Sequence, residues 1–252
     1  GSGVEIQING SQDVGFLRQK FSSKLDFNIV TKSDRNKSLL IADLDGTILK
    51  EECIDQIAFL VGKGHEVEEI TRRAMTENLD FNMALSQRLR ILKGTNIEIF
   101  YNCLKNKINI RPGSKILFST FKKLLGKTAI VSGGFTFFTE AIGEEISADF
   151  NYANVLEFKK NRLTGKTIGP VLNGEGKGEI LKILCKTLNI DHNKALAVGD
   201  GNNDIHMISL AGLGVAFHGS KKLNQGAKII LENSNLSAIL YLMGIKEEQF
   251  VN

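Results

Sequence analysis

Asp43-Leu44-Asp45-Gly46-Thr47 sets two carboxylates two residues apart, directly after the apolar run Leu39-Leu40-Ile41-Ala42. At a strand end such a pair repels itself unless a cation lies between the acids. Oxygen ligands suit Mg²⁺, which takes one or two protein carboxylates together with substrate phosphate and water. Gly46 and Thr47 add backbone N–H groups and a hydroxyl that can cradle a phosphate. Standing alone, the same residues serve equally well as an acidic turn.

Three further segments complete the pattern. Ser132-Gly133-Gly134 follows the apolar run Ala129-Ile130-Val131 and precedes helix-like sequence. A hydroxyl with free N–H groups at a helix start binds an anion, although by itself it reads as a plain helix cap. Lys177, in Gly174-Glu175-Gly176-Lys177-Gly178, opens a helix predicted over 179–188. The helix dipole disfavours a cation at that end, so a lysine placed there points to a phosphate; a surface lysine is the plainer alternative. Gly199-Asp200-Gly201-Asn202-Asn203-Asp204 follows Ala195-Leu196-Ala197-Val198. It lacks the third glycine of a dinucleotide-binding turn and the closing glutamate of a calcium loop. An acidic loop at the same edge as Asp43 completes a metal site instead.

Positioning these groups requires a sheet. The runs ending at Asp43, Ser132 and Gly199, with Gly214-Val215-Ala216 and Lys228-Ile229-Ile230, are short and lack alternation, as buried parallel strands do. They predict an α/β fold with helices on both faces and functional groups beyond the carboxyl ends of the strands. Residues 53–110 read differently: apolar residues recur at three and four spacing through Ile54, Ile57, Ala58 and Val61, then through Met83 to Leu92. This predicts an inserted helical cap that returns at Arg111-Pro112-Gly113. Lys159-Lys160-Asn161-Arg162 between two β-like segments predicts a small β-hairpin insert. The expected division is a leader over 1–35, a discontinuous core over 36–52 and 111–252, and a cap over 53–110. Within the leader, residues 14–25 are weakly amphipathic and are expected to pack on the core.

The composition narrows the classes. With 252 residues, 42% hydrophobic and 24% charged, the chain has ordinary globular usage. A formal charge of +4 suits a small anionic substrate and lacks the basic stripe of a nucleic-acid binder. The longest apolar run is the six residues 238–243, too short for a membrane span. No signal peptide is visible. Cys53, Cys103 and Cys185 are odd in number and far apart, which fits a reducing cytoplasm better than a disulfide framework. The expected partner is a small molecule, with no nucleic acid and no membrane, for a monomer or homodimer.

In this order, Asp43-x-Asp45-x-Thr47, Ser132, Lys177 and Gly199-Asp200-x-x-x-Asp204 resemble the haloacid dehalogenase superfamily, mostly Mg²⁺-dependent phosphatases. Within it the chain looks like the branch that hydrolyses L-phosphoserine, the last step of serine biosynthesis. That likeness rests on Lys50-Glu51-Glu52, Leu79-Asp80-Phe81, the run 87–93, Val131 to Phe135, Asn151 to Asn154 and Leu163-Thr164-Gly165, and spans about residues 38–243. The resemblance implies a Rossmann-like parallel core with a helical cap. It implies Asp43 as the nucleophile that becomes an aspartyl-phosphate, and Asp45 as general acid and then base. It implies Mg²⁺ held by Asp43, the Asp45 carbonyl and Asp200, with Asp204 supporting the metal shell or Lys177. Thr47, Ser132, Gly133, Lys177 and Asn203 would hold the phosphoryl group. Glu52 would meet the substrate ammonium and Arg88 its carboxylate, with Met75 and Phe81 walling the pocket. Gly46 departs from the serine often found there.

Three alternatives stand beside this reading: a related phosphatase for another small phosphomonoester, a phosphate-accepting signalling receiver, and a silent ligand-binding module. A receiver needs neither a cap nor the second acid at Asp45. A silent module would be expected to have lost a core acid, and Asp43, Asp45, Asp200 and Asp204 are all present.

Overall fold

The computed structural model describes residues 5, 6, 15, 16, 20, 24–76 and 80–251, with only the backbone at 75 and 76. Most of the amphipathic stretch expected at 14–25 lies outside the described residues.

Seven strands form one sheet in the order β4-β3-β2-β1-β5-β6-β7. They are β1 (Leu39–Ala42), β2 (Lys127–Phe135), β3 (Phe150–Lys159), β4 (Arg162–Ile168), β5 (Ala195–Gly199), β6 (Leu213–Phe217) and β7 (Ile229–Leu231). All neighbouring pairs are parallel except the β3–β4 hairpin. Strand residues project alternately to the two faces, and each face has its own core. Leu40, Ala42, Ile130, Leu196, Val198 and Val215 join one cluster; Leu39, Ile41, Ala129, Val131, Ala195 and Ala197 join the other. Both faces are covered, which is why these strands carry unbroken apolar runs.

The first face packs against α5 (Ser114–Leu124), α6 (Thr136–Ile146) and α10 (Ala238–Leu242), through Phe118, Phe121, Phe138 and Ile239 among others. The second packs against α7 (Gly174–Thr187), α8 (Ile205–Leu210) and α9 (Lys221–Gly226), through Leu181, Leu184, Met207 and Leu223.

Among the described residues, four helices lie between β1 and β2 in the stretch expected to be helical: α1 (Cys53–Leu60), α2 (Gly64–Thr76), α3 (Phe81–Ile91) and α4 (Ile97–Asn106). The chain enters and leaves this group side by side. Leu49 bridges Ile110, Lys50 donates to the Asn109 carbonyl, and Arg111 donates to that of Ile48. Phe100 on α4 meets Phe137 on α6 and Phe158 on β3 edge-on, with ring centroids 5.6 and 5.2 Å away.

The expected hairpin forms from β3 and β4. β3 begins at Phe150 and pairs with β2, so the hairpin continues the main sheet. Its tip turns at Lys160 and Asn161, both at positive φ (48° and 61°), as a two-residue hairpin turn requires. That tip holds the helical group by main-chain bonds: Gly94 donates to Leu163, Leu163 to Thr95, and Ile97 to Asn161. At the opposite edge, residues 26–34 pack along β7. Asn28 exchanges two hydrogen bonds with the Ile230 backbone, Asp26 accepts from the N–H groups of Glu232, Asn233 and Ser234, and Asp34 pairs with Lys228. No helix among the described residues is long and apolar enough to cross a membrane.

Candidate active site

The strand order changes direction at β1, whose neighbours are β2 and β5. Asp43 follows β1 and Asp200 follows β5, so both acids stand at the carboxyl edge where ligands bind in such sheets. The five residues after Asp43 form a tight turn. Asp45 is extended (φ −67°, ψ 133°), and Gly46 is left-handed (φ 75°), which only glycine adopts freely. A side chain on Gly46 would also run into the Asp200 carboxylate. This close approach makes a glycine the fitting residue where the family often has serine. Arg111 donates from Nε to the carbonyls of Gly46 (3.1 Å) and Leu49 (3.2 Å), tying the turn to the segment that returns from the helical group.

Lys177 is the centre of the buried charge network. It is fully buried, and its Nζ lies 2.7 Å from Asp43 Oδ2 and 2.7 Å from Asp204 Oδ1. The helix carrying it starts at Gly174, earlier than expected, because the Asn173 side chain caps it by accepting from the Gly176 N–H. Lys177 is thus inside the first turn, with its ammonium held between two carboxylates. Asp204 turns its other oxygen to the N–H groups of Asp200 and Gly201 (3.1 and 3.0 Å). Thr47, expected to hold phosphoryl oxygens, is completely buried and donates its hydroxyl to Asp200 Oδ1 at 2.7 Å. It orients that carboxylate.

Oxygens of Asp43, Asp200 and Asp204 lie within 4.8 Å of one another. Three carboxylates and one ammonium leave two negative charges, the complement of one divalent cation. Burial and then Asp204 push Asp43 well above the ordinary carboxylate range, against the pull of Lys177. Burial and then Asp204 push Asp200 up to about 7. Hard oxygen donors with unbalanced negative charge fit a divalent cation. Asp43 and Asp200 face the cavity in front of the acids whereas Asp204 is fully buried behind them, so Asp43 and Asp200 are the better placed ligands, with Asp204 in support.

A cavity of about 400 Å³ opens in front of these acids, within the size class of small-molecule sites. Asp43, Asp45, Glu52, Phe81, Arg88, Ser132, Gly133, Asp200 and Asn203 line it; Thr47 and Lys177 lie behind that wall. Asp45 is held by the Cys53 N–H (2.9 Å) and by the Ser132 hydroxyl (3.4 Å), while Ser132 accepts from the Gly134 N–H (2.8 Å). Ser132 and Gly133 do not sit at a helix start as expected. β2 continues through Phe135, with a register shift against β3 between Val131 and Phe135. The Phe81 ring covers Gly133 so closely that a Cβ there would lie 2.8 Å from it. Asn154, buried among them, bonds the carbonyl of Gly133 and both backbone groups of Leu172. Met75 lies in the last turn of α2, and its side chain is outside the described residues.

Glu52 and Arg88 line the same cavity. Burial, then Asp45 and Asp200, push Glu52 well above its ordinary range. A cationic ligand group would relieve it. Arg88 is only 8% exposed and has no carboxylate within ion-pair distance among the described residues. Burial works against its charge, which Glu52, Asp55 and Asp45 support from farther off.

Two further lining residues were not singled out in the sequence. Thr71 joins Arg88 on the helical side, bonded to Asp55 behind it, and His218 stands beyond β6 at positive φ (49°). The end of a fourth apolar strand is the signal that could have found His218. His206, the histidine closest to the acidic loop in sequence, is exposed on α8. Cys53 lines the cavity, but burial first and Asp45 next push its thiol well up, away from nucleophilic use.

Comparison with known proteins agrees with this architecture. Residues 37–212 match the family model of haloacid dehalogenase-like hydrolases. Phosphoserine phosphatase of Saccharomyces cerevisiae is 32% identical over 258 residues, covering 99% of this chain and 84% of that one. A solved phospho-aspartyl intermediate analogue of phosphoserine phosphatase superposes with a TM-score of 0.78 at 37% identity, over 84% of this chain and all of that one. A substrate-bound phosphoserine phosphatase complex gives 0.78 at 37% identity, over 83% of this chain and 99% of that one. The chain belongs to the haloacid dehalogenase-like hydrolases and, within them, to the phosphoserine phosphatase family.

Proposed function

We propose that this protein is a Mg²⁺-dependent phosphatase that converts L-phosphoserine to L-serine and phosphate through an aspartyl-phosphate on Asp43. The observation that carries the reading is one cavity lined by two chemically different sets of groups: Asp43, Asp45 and Asp200 in one, Glu52 and Arg88 in the other. The first set suits a phosphoryl group beside a cation. The second matches an ammonium and a carboxylate, the two charged groups that distinguish phosphoserine from a simple phosphate ester.

Asp43 attacks phosphorus with one carboxylate oxygen while the seryl oxygen leaves. Asp45, fixed by the Cys53 N–H, gives that oxygen its proton. Asp45 then takes a proton from water, which attacks the aspartyl-phosphate and releases phosphate and free Asp43. Lys177 and the Ser132–Gly133 segment meet the charge on the phosphoryl oxygens, where most catalysis of such transfers lies. Asp43 and Asp200, with the Asp45 carbonyl, would hold Mg²⁺. When bound, the ion neutralises phosphoryl charge and orients the group for in-line attack. Thr47 sets Asp200 for that task, Asp204 sets Lys177, and Asn203 steadies the phosphoryl group.

In the same proposal the core comprises 36–52 and 111–252, and 53–110 forms a cap that closes Arg88 and Phe81 over the substrate. The three cysteines are free and buried, which suits a reducing compartment, and we place the enzyme in the cytoplasm.

The test is rapid quenching after mixing with radiolabelled phosphoserine. A base-labile phosphoryl adduct should form on the wild-type chain and be absent in Asp43→Asn, which keeps the shape and loses the nucleophile. An adduct of equal yield in Asp43→Asn would contradict the assignment.

A further inference from the structure

Arg88 does not act alone. Its Nη1 donates to the Thr71 hydroxyl at 3.3 Å, and its Nε to the Ala84 carbonyl at 3.3 Å. The Thr71 hydroxyl lies 2.8 Å from Asp55 Oδ1 and 3.2 Å from the Val67 carbonyl. All three side chains are nearly enclosed, Asp55 at 9%, Thr71 at 6% and Arg88 at 8% exposure. They come from three consecutive helices, α1, α2 and α3, so one chain of hydrogen bonds joins the helical group at the cavity wall.

The proton direction in this chain is set by chemistry. A carboxylate only accepts and a guanidinium only donates. Thr71 therefore gives its proton to Asp55 and turns a lone pair toward Arg88. A direct Asp55–Arg88 pair would occupy the guanidinium fork bidentately. With the hydroxyl between them, Arg88 is oriented through one N–H of Nη1 and through Nε. Three of its five donors stay free of these bonds. A buried cation with no direct carboxylate partner is completed by an anionic ligand.

We propose that Thr71, anchored by Asp55, is a positioning residue. It holds the Arg88 guanidinium for the carboxylate of the substrate and thereby sets preference for amino-acid phosphates over phosphate esters without a carboxylate. This rests on the reading of Arg88 given above.

The test compares L-phosphoserine with p-nitrophenyl phosphate, which has neither carboxylate nor ammonium, in the Mg²⁺-loaded enzyme. Thr71→Val keeps the branched shape and removes the hydroxyl. It should raise KM for L-phosphoserine about tenfold, the value of one hydrogen bond to a charged group, while kcat changes less than about twofold. The ratio of kcat/KM for the two substrates should fall about tenfold as well. Thr71→Ser should restore both values, and Thr71→Ala, which asks less of the packing, should reproduce the loss. Equal losses on both substrates in Thr71→Val would overturn the proposal, since a merely structural residue does that. So would a wild-type KM in Thr71→Val beside a raised KM in Arg88→Ala; the reading of Arg88 would then stand without Thr71. A wild-type KM in both variants would remove Arg88 as well.

Discussion

Lys177 places its ammonium 2.7 Å from a carboxylate oxygen of Asp43, with the two side chains 0% and 6% exposed. A charge contact this enclosed is strong only while both partners are present. Lys177 also serves Asp204, so its removal leaves two buried carboxylates uncompensated. Lys177→Met should cost about 3–5 kcal/mol of folding stability and abolish phosphate release. Chemical denaturation with a parallel activity assay measures both. A Lys177→Met protein as stable and as active as the wild type would remove Lys177 from the centre of the site.

Substrate choice is assigned to Glu52 and Arg88 in the cavity wall. Arg88→Ala and Glu52→Gln should each impair L-phosphoserine at least tenfold more than p-nitrophenyl phosphate, because each removes one charge complementary to the amino acid and none at the phosphoryl end. Ratios of kcat/KM decide this. Equal losses on both esters would mean that these two side chains shape the cavity without reading the amino acid.

The acids of the site also couple cation and proton. Asp200 is pushed up to about 7, by burial first and then by Asp204, from an ordinary 3.8. The folded chain therefore holds this proton more tightly than the unfolded chain. Stability of the chelated protein should fall as pH rises through the window between those two values. A cation binds the ionised form, so its affinity should climb by up to about tenfold per pH unit below 7. Thermal melts with chelator and with Mg²⁺ should show a cation-induced stabilisation that grows from pH ~5 to pH ~7. A stabilisation independent of pH would contradict the coupling.

The N-terminal strap along β7 makes a separate claim on stability. Asn28 exchanges two hydrogen bonds with Ile230, completing the edge of the sheet as a neighbouring strand would. Asn28→Ala should lower stability by about 1–2 kcal/mol and leave kcat near the wild-type value. A melting temperature equal to that of the wild type would show that the strap adds nothing to the edge.

Much of this site was legible because its main groups follow apolar runs. Asp43 and Asp200 each mark the end of a buried strand, and the parallel pairing of β1 with β5 brings the two ends together. Lys177 was legible as a residue, but its setting was not. The glycines around it hid a helix that Asn173 starts at Gly174. Ser132 was placed at a helix start because the strand pattern stops at Val131, whereas hydrogen bonding to β3 carries β2 on to Phe135. Phe150 to Ala153 are exposed or only half-buried along the outer part of the sheet, so β3 lacked the continuous buried apolar signature of its neighbours. Asp55 and Thr71 were invisible for a different reason. Their partnership with Arg88 depends on how three helices pack, and nothing in their spacing within a single helix announces it. Thr47 shows a related limit: the motif located it, and only the fold shows its hydroxyl turned to Asp200.

The most direct test of the whole account is phosphate release from L-phosphoserine, with Mg²⁺ and with chelator, beside a panel of sugar and nucleotide phosphates. The account predicts metal-dependent release with L-phosphoserine preferred by orders of magnitude, because no other member of the panel offers Glu52 and Arg88 an ammonium and a carboxylate together. Equal or faster release from another ester would contradict the assigned substrate, and no release from any of them would contradict the chemistry.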